Sequence, residues 1–417
     1  MMFPCARRLT ILSAACLLFS VPSLLSQSQP DTSPKPAEQT APQTAPQNPA
    51  QVPPNTTSAP TPAAAQPPAQ TPGTLPEQAA PAEAPSTPPQ AADGKDEKKP
   101  GKKTDDKPIP TDAVHNASIW RDPGDIASKD MFFGEGGQSG QPVAPFTFLS
   151  EDLNGTNPKF DARDANGTKW RVKLGEEARP EIVASRLLWA IGYYVNDDYN
   201  LHLATVQGLH LKRGAGRIHN GEQIIDARFA RKPGKETKVA IWEWKTCPFR
   251  DTREFNGLRV MMAVLNSWDL KDVNNAVYTN KKTGHETFLV SDIGATFATN
   301  TLETSRAKDK GNVNSYVGSK FITKTTPTTV DFGTPGAPTA VLLKSGGVLA
   351  GDYFKRRGFD WIGEDIPRED ARWVGNMLGQ LSHQQLVDAF RAGNFPPESI
   401  EQYVTVLEGR IAQLKAL

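Results

Sequence analysis

The distribution of apolar positions divides the chain into a leader, a long stretch without pattern and a region with regular periods. An apolar run over residues 9–25 follows Arg7 and Arg8, contains no acidic residue and is followed by Ser26 and Ser28. That order is a secretory signal, cleaved near residues 26–28. Left uncleaved, the run stands at the lower limit for crossing a bilayer, so an anchored amino terminus is the alternative. From residue 30 to 110 no period survives. This stretch holds 21 of the 36 prolines, mixed with Ala, Gln and Thr. It has too few large apolar side chains to offset its ordering entropy, and its prolines make it an extended spacer.

Beyond residue 110 the pattern changes. Residues 146–151 and 159–163 read as strands, and Asn166-Gly167 is a strong hairpin signal. Residues 169–174 alternate, with Trp170, Val172 and Leu174 on one face and Lys169, Arg171 and Lys173 on the other. A helix begins near Pro180, which suits a first turn. Its apolar stripe is Val183, Leu187, Ala190, Ile191 and Tyr194, while Glu181 lies on a side shared with Ser185 and Leu188. Residues 204–212 and 239–244 are strand-like. Residues 253–265 form a helix whose face is Phe255, Leu258, Met261, Met262 and Leu265. Residues 276–279 and 287–290 make a hairpin turned at 282–284. Residues 296–331 are poor in large apolar side chains and read as a long loop. The carboxy-terminal part is helical: Ser382 with Gln385 is a capping-box pattern, and a last helix opens at Pro396-Pro397-Glu398.

Charge and cysteine content narrow the classes. Removing Arg7 and Arg8 from 47 basic residues leaves 45 against 46 acidic ones, so nothing suggests a general nucleic-acid binder. Cys5 and Cys16 lie in the leader and Cys247 stands alone, which excludes an intramolecular disulfide in the mature chain. The six histidines show no metal-ligand spacing.

The chemistry concentrates downstream of the second helix. Asp269, Lys271 and Asn274 share one short loop, and the hairpin that follows delivers Asp292 two residues before Gly294. A carboxylate, a lysine and an amide at this spacing, then a second carboxylate held against a glycine, equip a phosphoryl-transfer site. With the preceding order of three strands, a strand lysine and a helix glutamate, the chain resembles the protein-kinase-like superfamily, as an atypical, secreted bacterial member.

The resemblance implies an α+β, two-lobed protein-kinase-like fold over residues 111–417. A small β-rich lobe with one helix would span about 140–245 and a mostly helical lobe about 246–417, behind a signal (1–28) and a linker (29–110). It implies that Asp269 takes the acceptor's proton, with Lys271 near the transferring phosphate. Asn274 and Asp292 would be ligands to Mg2+ or Mn2+, since a hard cation takes oxygen donors. Lys173 would hold the α- and β-phosphates with Glu181 as its counter-charge, Glu176 and Glu177 being rivals. Residues 153–157, with Gly155, would cover the phosphates, and residues 242–247 would form the hinge that reads the base.

The partners implied are ATP (or GTP) as co-substrate and a hydroxyl acceptor on a protein, a sugar or a lipid head group. The stalk would serve for association with the cell envelope. The alternative is a catalytically silent, pseudokinase-like binding module on the same stalk. Several positions depart from the pattern. Ser267 and Trp268 replace the His-Arg that usually precedes the catalytic aspartate. Residues 153–157 lack the three-glycine pattern, Arg171 stands where a small residue is usual near the base, and no Ala-Pro-Glu follows Gly294.

Overall fold

Alternation along residues 169–173 sets the architecture of the first lobe: Trp170 and Val172 are fully buried while Lys169 is exposed. The structure, a computed structural model, describes residues 107–108, 116–155, 157–231, 236–267, 269–298, 310–333 and 358–417. All lie in the second of two units, Met1–Ala92 and Asp93–Leu417. The expected signal and nearly all of the spacer lie outside the described residues. At the spacer's end, exposed Lys107 and Pro108 lie along the second lobe: the Ile241 N–H donates to Lys107 O at 3.0 Å and Pro108 bridges Ile241.

Five strands, β2 (Phe146–Asp152), β3 (Lys159–Arg163), β4 (Lys169–Lys173), β5 (Asp198–Gln207) and β6 (Gln223–Arg231), form a closed barrel in the order β2-β3-β4-β6-β5. Parallel pairing of Phe146 with Val206 closes it. The interior holds Phe146, Phe160, Trp170, Val172, Tyr199, Val206 and Phe229. Burying each large apolar side chain contributes roughly 1.5–3 kcal/mol. The β3–β4 turn forms where Asn166-Gly167 predicted it: Gly167 has φ +79°, and Asp164 Oδ1 accepts from the N–H groups of Asn166 and Thr168.

Helix α1 (Ala178–Ala190) joins β4 to β5, with Pro180 in its first turn. Its expected stripe is buried from Val183 to Ile191, and so are Glu181, Ser185 and Leu188 on the other side. The helix is wedged between the barrel and the second lobe, which explains burial on both faces.

The second lobe contains a sheet in the order β1-β9-β8-β7, from β1 (Ala117–Ser118), β7 (Glu236–Ala240), β8 (Asn275–Asn280) and β9 (Glu286–Val290). Around it pack α2 (Arg253–Val264), α4 (Arg368–Leu378), α5 (His383–Ala392) and α6 (Pro397–Lys415). Thr252 caps α2 by accepting from Phe255 N, and Ser382 with Gln385 forms the complete capping box at α5. No helix among the described residues is long and apolar enough to cross a membrane.

Two expectations change. The stretch 296–331 is not one loop: it carries α3 (Val313–Val317), β10 (Ile322–Thr325) and β11 (Thr329–Phe332), while 299–309 lies outside the described residues. β11 also pairs with β12 (Ile366–Pro367). Short strands with Thr and Lys on their open face carry little apolar signal. In the first lobe, β6 had no predicted counterpart, although its Asp226, Arg228 and Ala230 alternate with Ala227 and Phe229. A β-rich lobe closed around an apolar interior, followed by a mainly helical lobe, is the two-lobed α+β architecture expected.

Candidate functional site

Lys173 is the last residue of β4, and its strand face is opposite to the one that fills the barrel. It is 6% exposed, yet its ammonium is surrounded by carboxylates: Nζ lies 2.9 Å from Glu181 Oε2, 2.9 Å from Asp292 Oδ1 and 3.1 Å from Glu177 Oε2. Burial alone lowers the pKa of an ammonium. The charges of Glu181, Asp292 and Glu177 outweigh burial and raise its pKa, so it stays an ammonium.

Glu181, fully buried in the first turns of α1, has a second cation beside it. Arg228 Nη1 stands 3.2 Å from Glu181 Oε1, as an ion pair without hydrogen-bond alignment. Arg228 Nε also donates to Asp198 Oδ2 at 2.8 Å, and Arg186 Nη2 donates to Asp198 O at 2.7 Å. Burial pushes the Glu181 carboxyl above its usual range, against the pull of Arg228 and Lys173. The result is an alternating row, Asp292–Lys173–Glu181–Arg228–Asp198–Arg186, behind the barrel wall. Register produces it: Lys173 pairs directly with Arg228 across β4 and β6.

The β8–β9 hairpin brings the second group together. Asn275 pairs with Val290, so Asn274 and Ser291 face each other at the open end. Asn274 O accepts from both the Ser291 N–H (2.8 Å) and the Ser291 hydroxyl (2.9 Å), and Asp292 is the next residue. The Asn274 side-chain nitrogen donates to Asp269 O at 2.7 Å, which leaves its amide oxygen as the available donor atom. Lys271 Nζ lies 3.1 Å from Asp269 Oδ1. Gly294 passes so close to Glu177 that an added Cβ would meet the Glu177 backbone oxygen at 2.8 Å.

Asp292 is crowded by protein yet opens to solvent, its side chain being 46% exposed. Burial works against its charge. Lys173 first, then Arg228 and Lys159, overcome this and hold the carboxyl down to about 2. It is therefore an anion at every physiological pH. Among the described residues no three His, Cys, Asp or Glu side chains cluster as a metal cage. The donor set at the hairpin end is one carboxylate and one amide oxygen. That fits a hard divalent cation which keeps most of its shell for water and phosphate oxygens.

Lys173, Glu181 and Asp292 thus meet in one cluster, and Asp269, Lys271 and Asn274 share the loop beside Ser291. Of the two rivals to Glu181, Glu177 also reaches Lys173, while Glu176 turns away to Arg217 at 2.9 Å. Gly155 sits in the β2–β3 loop with φ +72°, and its carbonyl accepts from Arg213.

The expected hinge at 242–247 is corrected. Trp242 and Trp244 are buried in the second lobe, Trp242 Nε1 donates to Leu289 O at 3.0 Å, and Trp244 N donates to Asp272 Oδ1 at 3.0 Å. Those residues pack in the second-lobe core against β9 and the loop before β8, and the barrel already ends at Arg231. Arg171 shares its strand face with Lys173 and is paired with Asp152 and with Asp161 (2.5 Å).

Sequence reasoning missed Arg228, Asp198, Arg186 and Lys159. Lys159 pairs with Lys173 across β3 and β4 and lies 3.8 Å from Asp152 Oδ2. The alternation in β6 was the available signal for Arg228.

No protein-family model and no curated protein matches the chain. Several solved structures align with it, two of them kinases. The Helicobacter pylori proinflammatory kinase CtkA does so at 11% identity, over 65% of this chain and 93% of its own, with TM-score 0.32. The golgi casein kinase does so at 9% identity, over 66% and 71%, with TM-score 0.30.

Proposed function

We propose that this domain is a phosphotransferase that moves the γ-phosphoryl of ATP (or GTP) to a hydroxyl acceptor, exported behind its leader and proline-rich spacer. The observation that supports this best is Lys173 at 2.9 Å from both Glu181 and Asp292. A buried lysine fixed by a helix glutamate and facing a half-exposed carboxylate is suited to phosphate oxygens accompanied by a cation.

In this reading Lys173 holds the α- and β-phosphates. Asp292 and the Asn274 amide oxygen hold Mg2+ or Mn2+, which neutralises charge on the phosphates when bound. Asp269 orients the acceptor hydroxyl. As the acceptor oxygen bonds to the γ-phosphorus, the bond from that phosphorus to the β–γ bridging oxygen breaks. The electron pair leaves with the nucleoside diphosphate, and the acceptor's proton passes to Asp269. Lys271, at 3.1 Å from Asp269, supplies positive charge beside the transferring group. The acceptor belongs to the class of protein, sugar or lipid-head-group hydroxyls.

The test compares Asp292→Ala with Asp269→Ala. The first should abolish metal-dependent nucleotide binding. The second should leave binding within a fewfold and lower turnover by about 10²–10⁴. Turnover that survives both substitutions refutes the reading. A silent binding module has one observation in its favour: Arg171, locked to Asp152 and Asp161, occupies the strand face beside Lys173 where a base would lie. A wild-type chain with no turnover and no metal-dependent nucleotide binding would select it.

A further inference from the structure

The β2–β3 loop lacks the glycine pattern that lets a backbone wrap phosphates, yet the carbonyls of Asp152, Asn154, Gly155 and Asn157 turn to one guanidinium. Arg213, six residues beyond β5, donates through Nη1 to Gly155 O and through Nη2 to Asn157 O (3.1 Å), Asn154 O (3.2 Å) and Asp152 O (3.3 Å). The arginine is itself anchored: Glu151 Oε1 accepts from Arg213 N at 2.9 Å and Glu151 Oε2 from Lys212 N at 2.8 Å.

A trans peptide plane sets the C=O of one residue opposite to the N–H of the next. With the carbonyls of Asp152 and Asn154 aimed at Arg213, the N–H groups of Leu153 and Gly155 aim away from it. The loop runs beside the lysine cluster. Leu174 N donates to Pro158 O at 3.0 Å, Asn157 Oδ1 would lie 3.5 Å from a Cβ on Gly175, and Lys159 pairs in register with Lys173.

We infer that Arg213 is the positioning residue of the phosphate-binding loop: it gathers the loop's carbonyls on one side, so that the amides of Leu153 and Gly155 face the nucleotide's phosphates. Here one planar cation with five donors does what added glycines do elsewhere, by fixing the orientation of peptide planes. The inference rests on the nucleotide reading above. A lysine in its place would keep the charge and lose the fork, so Arg213→Lys separates geometry from charge.

The experiment measures dissociation constants of Mg·ADP and of adenosine for wild type, Arg213→Ala and Arg213→Lys, alongside melting temperatures. Arg213→Ala should weaken Mg·ADP at least tenfold and leave adenosine within twofold. Arg213→Lys should recover less than half of that loss on a logarithmic scale. Mg·ADP affinity within twofold of wild type in Arg213→Ala overturns the inference. So does an equal loss for ADP and adenosine, or full recovery in Arg213→Lys. If wild type binds neither ligand, the nucleotide reading itself fails; if wild type binds Mg·ADP and Arg213→Ala binds it equally, only the role of Arg213 falls.

Discussion

Lys173 Nζ stands 2.9 Å from Oδ1 of Asp292, although 119 positions separate them in the chain. The contact spans the two lobes: Lys173 ends a barrel strand and Asp292 follows the β8–β9 hairpin. The lysine keeps Glu181 and Glu177 when Asp292 loses its charge. Asp292→Asn should therefore unfold within about 1 kcal/mol of wild type, as expected for a partly exposed ion-pair partner. The same variant should weaken Mg·ADP binding at least tenfold, because a metal carboxylate is gone. Urea unfolding and calorimetric titration, read side by side, check the split.

Glu181 sits at the opposite extreme. It is fully buried between Lys173 and Arg228, and its removal leaves two buried cations facing each other with one carboxylate fewer. Breaking a buried pair from one side costs about 3–5 kcal/mol. Glu181→Ala should lose that much in urea unfolding, several times the loss for Asp292→Asn. Equal losses in the two variants would show that the buried row does not support the fold as described.

What could be read beforehand followed from period and spacing. Residues 146–174 announced three strands and a turn because each strand has one apolar face and Asn166-Gly167 punctuates them. Asp269, Lys271, Asn274 and Asp292 were legible because their spacing is local to one loop and one hairpin. The Lys173–Glu181 pair was legible only through resemblance, since nothing in a single sequence says which glutamate a lysine will meet; Glu177 shares it. The Arg228–Asp198 link depends on β6 pairing with both β4 and β5, a non-local register that no local pattern encodes. Trp242 and Trp244 read as a hinge by their position in the chain, but apolar bulk drew them into the core.

Acid should separate Asp292 from its neighbour. Its carboxyl is held down to about 2 against an ordinary 3.8, mainly by Lys173 working against burial. A depressed folded value means the stabilisation is complete above the ordinary value and is lost as pH falls toward 2. Glu181 is shifted upward, so its own linkage has the opposite sign: favourable at low pH and lost as pH rises through its folded value. The difference in unfolding free energy between wild type and Asp292→Asn should hence be flat from pH 7 to about 5 and shrink below about 4. A difference that grows on acidification would contradict the assigned sign.

Cys247 offers a probe of the second lobe independent of any ligand. It is 5% exposed and packed in the same core as Trp242 and Trp244, and burial pushes its thiol up to about 12 despite a backbone hydrogen bond from Phe249. The thiolate is the reactive form, so at pH 8 the native thiol should be nearly inert on two counts, ionisation and access. In a Cys5→Ser, Cys16→Ser background, a chromogenic disulfide reagent should label less than one tenth of the chains in the time that fully labels them in 6 M guanidinium. Slow native labelling should then track opening of the lobe. Glu181→Ala, which weakens α1 where it joins the second-lobe core, should speed it by more than tenfold, while Asp292→Asn should leave it within a few-fold. Rapid labelling of the native double-serine chain would mean that residues 242–247 line an accessible surface, as a hinge would, and that their placement in the second-lobe core is wrong.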